Sequence, residues 1–201
     1  MHSTPTICCP AAQTKKPGSG ETDCGRTWAF CALTERPDNH MMWVNYAKNH
    51  TGFVIGFDSG SSFFENDERE LRKVIYQNTP PVFPRPDENG CFYKSPEWRH
   101  EEEWRCIRRF KNDKRRNASF EWPMVKHIIF GSRIAGWMVS RIVQYVTFLS
   151  DLENLPLPLF FFSSPAHSGW RFVNTEKRLS LCEHCDGNGY TIQTVDASKG
   201  K

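Results

Sequence analysis

The chain has no apolar stretch long enough to cross a bilayer. Its longest runs, around 128–130 and 155–162, fall well short of the roughly 20 residues a spanning helix needs. The opening MHSTPTICCPAAQTKK lacks the basic start and apolar core of a secretory signal. Cysteine is too sparse for a disulfide scaffold, at eight in 201 residues, and the expectation is a cytoplasmic protein with mostly reduced thiols. Neither sign of charge dominates, with 26 basic against 23 acidic residues. That balance argues against a protein that lives by coating phosphate backbones. A Gly-rich phosphate loop, a dinucleotide fingerprint, a zinc-protease HExxH and a serine-hydrolase elbow are all missing.

What the chain does have is aromatic rings: 15 Phe, 7 Trp and 5 Tyr. With 38% hydrophobic and 24% charged residues, this composition excludes wholesale disorder and fits a globular core or ring-lined grooves. Residues 1–23, rich in Thr, Pro, Gly, Ser and Lys, read as a flexible tail. Residues 24–201 read as a single α+β domain with a mixed or mainly antiparallel sheet and short flanking helices. Strands are expected at 27–33, 53–58, 73–76, 103–110 and 125–130, with later candidates at 170–173 and 190–195. A helix capped by Asp38 or Asn39 is expected over 40–49, leaving at Gly52. A short helix is expected within 63–72 and another near Glu97. Four prolines between 80 and 86 force an extended connection. The type of 134–149 stays open, because its apolar spacing is helical while VQYVTF is β-prone.

Two stretches concentrate chemistry. In KSPEWRHEEEWR (94–105), strand alternation would point Glu101 and Glu103 one way and Glu102 the other. Paired carboxylates can share a polar group, one orienting a ribose hydroxyl while the other stabilises positive charge at a sugar carbon. A solvated strand end is the commoner origin of E-x-E. Trp98 and Trp104 could stack on a base or serve as core anchors. In MMWVNYAKNHTG (41–52), helical spacing sets Trp43, Tyr46 and His50 on one side, as ligand-positioning groups or as satisfied packing. Arg105 or Lys94 could meet phosphates. The run RRFKNDKRR, from Arg108 to Arg116, reads as a solvated hairpin or a phosphate-contacting loop, with nucleic acid not the main partner.

These stretches, with FVIGFD, KVIY and HIIFGSR, resemble the bacterial family catalogued as domain of unknown function 2971. The resemblance spans roughly 30–133. It implies that Trp43, Tyr46, His50 and Gly52 form one motif and Trp98, Glu101, Glu103 and Arg105 a second, with Lys94 preceding it. The family's usual Asn-Asp-Pro-Phe segment has no counterpart here, so a site relying on it would be incomplete or rebuilt. The family name carries no established activity. Tyr46 and the Glu101-x-Glu103 pair motivate a looser analogy to ADP-ribosyltransferases.

Cys182-Glu-His-Cys185, followed by Asp-Gly-Asn-Gly, is similar to one unit of the zinc-binding repeat of DnaJ-type chaperones, which use several. A structural zinc needs four ligands, so Cys24, Cys31, His167 or His184 would have to contribute; unligated or redox-active thiols are the alternatives. Residues 180–201 would form a Cys-containing terminal hairpin. The leading functional expectation is a nucleotide-utilising transferase, with NAD as substrate, Glu103 as principal carboxylate and a protein acceptor. A nonenzymatic binding or regulatory module, in defence against phage, and a zinc-supported structural domain are the alternatives. Oligomeric state is not legible.

Overall fold

The computed structural model describes residues 6–10, 19–21, 26–82, 88–111, 120–168, 171–181 and 190–194. In chain order these hold strands β1 (Thr6–Pro10), β2 (Ser19–Glu21) and β3 (Arg26–Thr34), helix α1 (His40–Tyr46), then β4 (Phe53–Asp58), β5 (Arg69–Lys73) and β6 (Ile75–Tyr76). A two-residue β7 (Tyr93–Lys94) and β8 (Glu103–Lys111) follow. Then come β9 (Val125–Phe130), helix α2 (Gly136–Glu153), β10 (Leu159–Pro165), β11 (Phe172–Leu181) and β12 (Tyr190–Thr194). The fold class is α+β with a mixed, mainly antiparallel strand arrangement. Among the described residues no helix is long and apolar enough to cross a membrane.

The chain divides into two compact units, one drawn from 1–9, 14–37 and 57–124, the other from 10–13, 38–56 and 125–201. The first unit is antiparallel around β3, which pairs with β1, β2 and β8, while β8 also pairs with β5. Leu33, Phe64, Val74, Phe92 and Ile107 bury its core. No helix forms within 63–72. A turn at 62–64 leads instead into β5, whose backbone is claimed by β8, a tertiary pairing that overrides local preference. Beside this sheet, β6 and β7 pair in parallel, and a 3-10 helix at Pro96–Glu101 precedes β8.

The second unit is mixed. β9 and β10 run parallel, and β10–β11 and β11–β12 antiparallel, with β4 beside β9. Parallel neighbours need a crossover, and α2 supplies it, burying Val139, Val143 and Val146. The β-prone run VQYVTF is therefore helical because packing decides its type. Leu159–Pro165 is an interior strand with partners on both sides.

Helix α1 starts where the sequence indicates. The Asn39 side chain accepts the Met41 N–H at 2.9 Å, a standard N-cap. It ends at Tyr46, short of Asn49, because Lys48, Asn49 and His50 all take the left-handed region, with φ of 51°, 55° and 65°. Such residues cost about 1–2 kcal/mol each and usually occur singly.

Candidate functional site

In the first unit, four charged side chains meet around the start of β8. Lys94 Nζ donates to Glu101 Oε2 and, at 2.9 Å, to Glu103 Oε2. Arg105 clamps the same carboxylate with two prongs, Nε to Oε1 at 2.7 Å and a terminal nitrogen to Oε2 at 3.1 Å. Its other terminal nitrogen donates to the Cys91 carbonyl, and its guanidinium lies 4.6 Å from the Phe30 ring centre. Two cations face two carboxylates, the balance a buried ionic group requires.

The chain reaches this arrangement by a break in regular structure. Glu101 closes the 3-10 helix, Glu102 turns through φ 42° in the left-handed region, and Glu103 opens β8. Glu101 and Glu103 thus converge on one lysine, as their spacing suggests, but through a kink rather than strand alternation. Glu102 is diverted to Arg36 at 2.8 Å. Backbone contacts fix the pair. Thr34 Oγ1 donates to the Glu101 carbonyl at 2.6 Å, and the Glu103 N–H donates to the Tyr76 hydroxyl at 2.9 Å.

Burial is the largest single influence on Glu103 and raises its pKa. The hydrogen bonds and charges of Arg105 and Lys94 together outweigh it and hold the carboxyl below the usual range. Burial pushes the Tyr76 hydroxyl upward, so it stays neutral. The carboxylates are sealed, with Glu101 and Glu103 side chains 2% and 5% exposed, while Lys94 keeps 18%. Lys94 is therefore the outward member of the group. Its Nζ stands 4.6 Å from the Trp98 ring centre, a cation–π contact, and Trp98 is 41% exposed. Trp98 is no core anchor, and Trp104 is half-buried with its Nε1–H donating to Glu35 at 3.2 Å.

The second unit gathers the other sequence-selected residues. His50 and Trp43 are buried, their rings stacked at 5.6 Å, and the His50 N–H donates to the Trp43 carbonyl at 3.3 Å. The left-handed turn at 48–50, not a continuing helix, carries His50 onto Trp43. Tyr46 is half-buried. Two residues that sequence reasoning missed complete the cluster. Phe172 stacks on His50 at 4.3 Å, and His40 Nδ1 lies 3.0 Å from His50 Nε2. Burial, then the charges of His40 and Arg133, lower the His50 pKa to about 4, so the ring is neutral. Its Nδ1 is buried with no partner among the described residues. An unmatched lone pair is better tolerated than an unmatched N–H, which assigns the proton to Nε2, donating to His40.

Phe172 and His40 carry no local signal, since one is remote in sequence and the other opens the helix. Tyr76 could have been singled out, because it ends the KVIY stretch. Of the basic run, Arg108 and Arg109 face Glu68 at 3.7 Å and Glu70 at 2.6 Å, and 112–119 lie outside the described residues. So do Cys182, Cys185, Cys24 and His184. Among the described residues, no group of three or more His, Cys, Asp or Glu is arranged to hold a metal.

The fold and these two clusters define an α+β protein with a charge-balanced buried ionic site and a separate histidine–aromatic cluster. Residues 42–106 match the family described as Protein of unknown function (DUF2971). The matched stretch contains Trp43, Tyr46, His50, Lys94, Trp98, Glu101, Glu103 and Arg105, and excludes His40, Gly131 and Phe172. No curated protein and no solved structure matches the chain.

Proposed function

We propose that the chain is a nucleotide-utilising transferase, with NAD-dependent ADP-ribosyl transfer centred on Glu103 as its chemistry. What supports the reading is the convergence of Glu101 and Glu103 on one lysine, with Glu103 held anionic by Arg105 and Lys94. Breaking the nicotinamide–ribose bond develops positive charge at the sugar carbon, and a fixed anion beside that carbon lowers the barrier. Nicotinamide leaves with the bonding electrons, and the acceptor's nucleophile bonds to the carbon and releases its proton. Glu101 suits a ribose hydroxyl. Lys94, the member nearest solvent, would swing from the carboxylates to the diphosphate and uncover Glu103. The Trp98 ring, on which Lys94 now rests, would take a flat ring once Lys94 moves.

A nonenzymatic binding or regulatory module is the second reading. It is favoured by the full engagement of both Glu103 oxygens and by their burial, which suit a structural role. Incubation with NAD and candidate acceptors separates the two. Nicotinamide release by the wild type that is lost in Glu103→Gln, with an unchanged circular dichroism spectrum, supports transfer. Trp98→Ala, at an exposed position, should raise KM for NAD several-fold. No release with any acceptor, or equal release by wild type and Glu103→Gln, ends the transferase reading.

A further inference from the structure

Helix α2 is apolar on two opposite faces, and only one of them is covered. Val139, Val143 and Val146 are buried. On the other side Trp137, Tyr145, Phe148 and Leu152 are 67%, 63%, 61% and 65% exposed. At 3.6 residues per turn, positions 137, 141, 145, 148 and 152 fall in a stripe about 80° wide, opposite the buried valines. Arg141 is its only charge. Four large apolar side chains aligned on one helix form a contiguous patch of the kind that marks an interaction surface.

The ends of α2 are electrostatically mismatched. Its N-cap, Ala135, makes no side-chain hydrogen bond and the first turn holds no acid, while the last turn holds no base but carries Asp151 and Glu153. A helix favours anions at its N-terminus and cations at its C-terminus, and α2 has neither. An antiparallel neighbour with the same sequence would correct both ends at once.

We propose that this stripe docks a second copy of the chain, helix against antiparallel helix, across a two-fold axis at Tyr145. The spacing is self-complementary. Trp137 and Leu152 are equidistant from a point between residues 144 and 145, and so are Arg141 and Phe148. Across the axis Trp137 of one copy meets Leu152 of the other, Arg141 lies on the ring of Phe148, and Tyr145 meets itself. Asp151, at the edge of the stripe, lies level with the uncapped first turn of the opposing helix. The contact is isologous and closed. A single cation on the stripe does not suit an anionic membrane surface, which favours a basic polar face. An 18-residue helix is only ~27 Å long, so a helix pair covers less than the ~1,200–2,000 Å² of a stable interface. The dimer is therefore reversible and concentration-dependent.

Sedimentation of the full chain over a wide concentration range tests this. The wild type should shift from monomer to dimer, and Tyr145→Glu, which sets two like charges on the axis, should weaken the dimer at least tenfold. Trp137→Lys and Leu152→Glu should each weaken it alone. Their equimolar mixture should recover it, because the heterodimer keeps one native end and gains a Lys–Glu pair at the other. All these positions are exposed, so the circular dichroism spectrum should not change. A wild type that stays monomeric at every concentration, a dimer indifferent to Tyr145→Glu, or a mixture no tighter than its components overturns the proposal.

Discussion

Gly131 lies directly against the backbone of His50. A side-chain carbon built on Gly131 would overlap the His50 carbonyl oxygen, and it would sit 2.8 Å from that carbonyl carbon and 2.9 Å from the Gly52 oxygen. The Gly131 N–H donates to the Gly52 carbonyl at 3.0 Å, and the Arg133 N–H donates to the His50 carbonyl at 3.0 Å. Two stretches that resemblance picked out separately, HTG and HIIFGSR, are therefore one structural joint that holds the left-handed turn.

Gly131→Ala should be costly because the obstructing atoms are backbone and cannot rotate away. We expect a loss of about 3 kcal/mol or more, the upper end for overpacking, read from urea denaturation. Gly136→Ala is the control. A side-chain carbon there meets nothing within 4 Å, and at the first position of α2 the change should be neutral or stabilising by up to about 1 kcal/mol.

Lys94→Met should destabilise by about 3 kcal/mol, the low end for breaking a buried ionic group because Lys94 keeps some solvent contact. It should also move the acid limb of stability. Glu103 titrates below its ordinary value in the fold, so the unfolded chain binds its proton first. Stability from this group is complete above about pH 4.3 and declines as pH falls through the lower folded value. Without Lys94, Glu103 loses one of the cations that depress it, so its folded value moves toward the unfolded one and the acid decline should be smaller and end at higher pH. Denaturation midpoints between pH 6 and 3 measure both effects.

Local periodicity made much of the fold legible. The strands at Phe53–Asp58 and Val125–Phe130 and the Asn39 cap follow from alternation, glycine punctuation and capping chemistry. The expectations that failed depend on partners distant in the chain. β5 displaces the expected helix because β8 pairs with it, and α2 reads ambiguously because its exposed face is as apolar as its buried one. In the ionic site, the sequence marked all four charged residues, since they sit within twelve positions of one another. Thr34, which donates to the Glu101 carbonyl, and Phe172, which packs on His50, are long-range neighbours with no motif to betray them, whereas Tyr76 lies in the KVIY stretch and only its contact with Glu103 is long-range.

The thiols should react unequally. Burial, then the neighbouring Cys31, push the Cys106 pKa up to about 12, and Cys106 is buried while Cys31 is exposed. Since the thiolate is the reacting form, iodoacetamide at pH 8 should alkylate Cys31 in the native protein and spare Cys106. Denaturation should make Cys106 reactive, and peptide mass spectrometry reads both states. Native labelling of Cys106 at a rate similar to Cys31 would contradict its burial.

The pH dependence of stability should contain a second, separable window set by His50. Burial holds its folded pKa at about 4, whereas a histidine in an unfolded chain titrates at about 6.5. As pH falls below the unfolded value the unfolded chain takes up a proton that the fold refuses. Stability present above about pH 6.5 is then lost progressively down to about pH 4, by up to ~1.4 kcal/mol per pH unit for one proton. His50→Asn removes the titrating ring while keeping a residue type that tolerates positive φ. It should be less stable overall, having lost its contacts with Trp43 and Phe172, yet flatter between pH 6.5 and 4. Ring-nitrogen NMR of the wild type at pH 5 should find His50 neutral with its proton on Nε2. A charged His50 at that pH would mean that the ring is hydrated rather than sealed between Trp43 and Phe172.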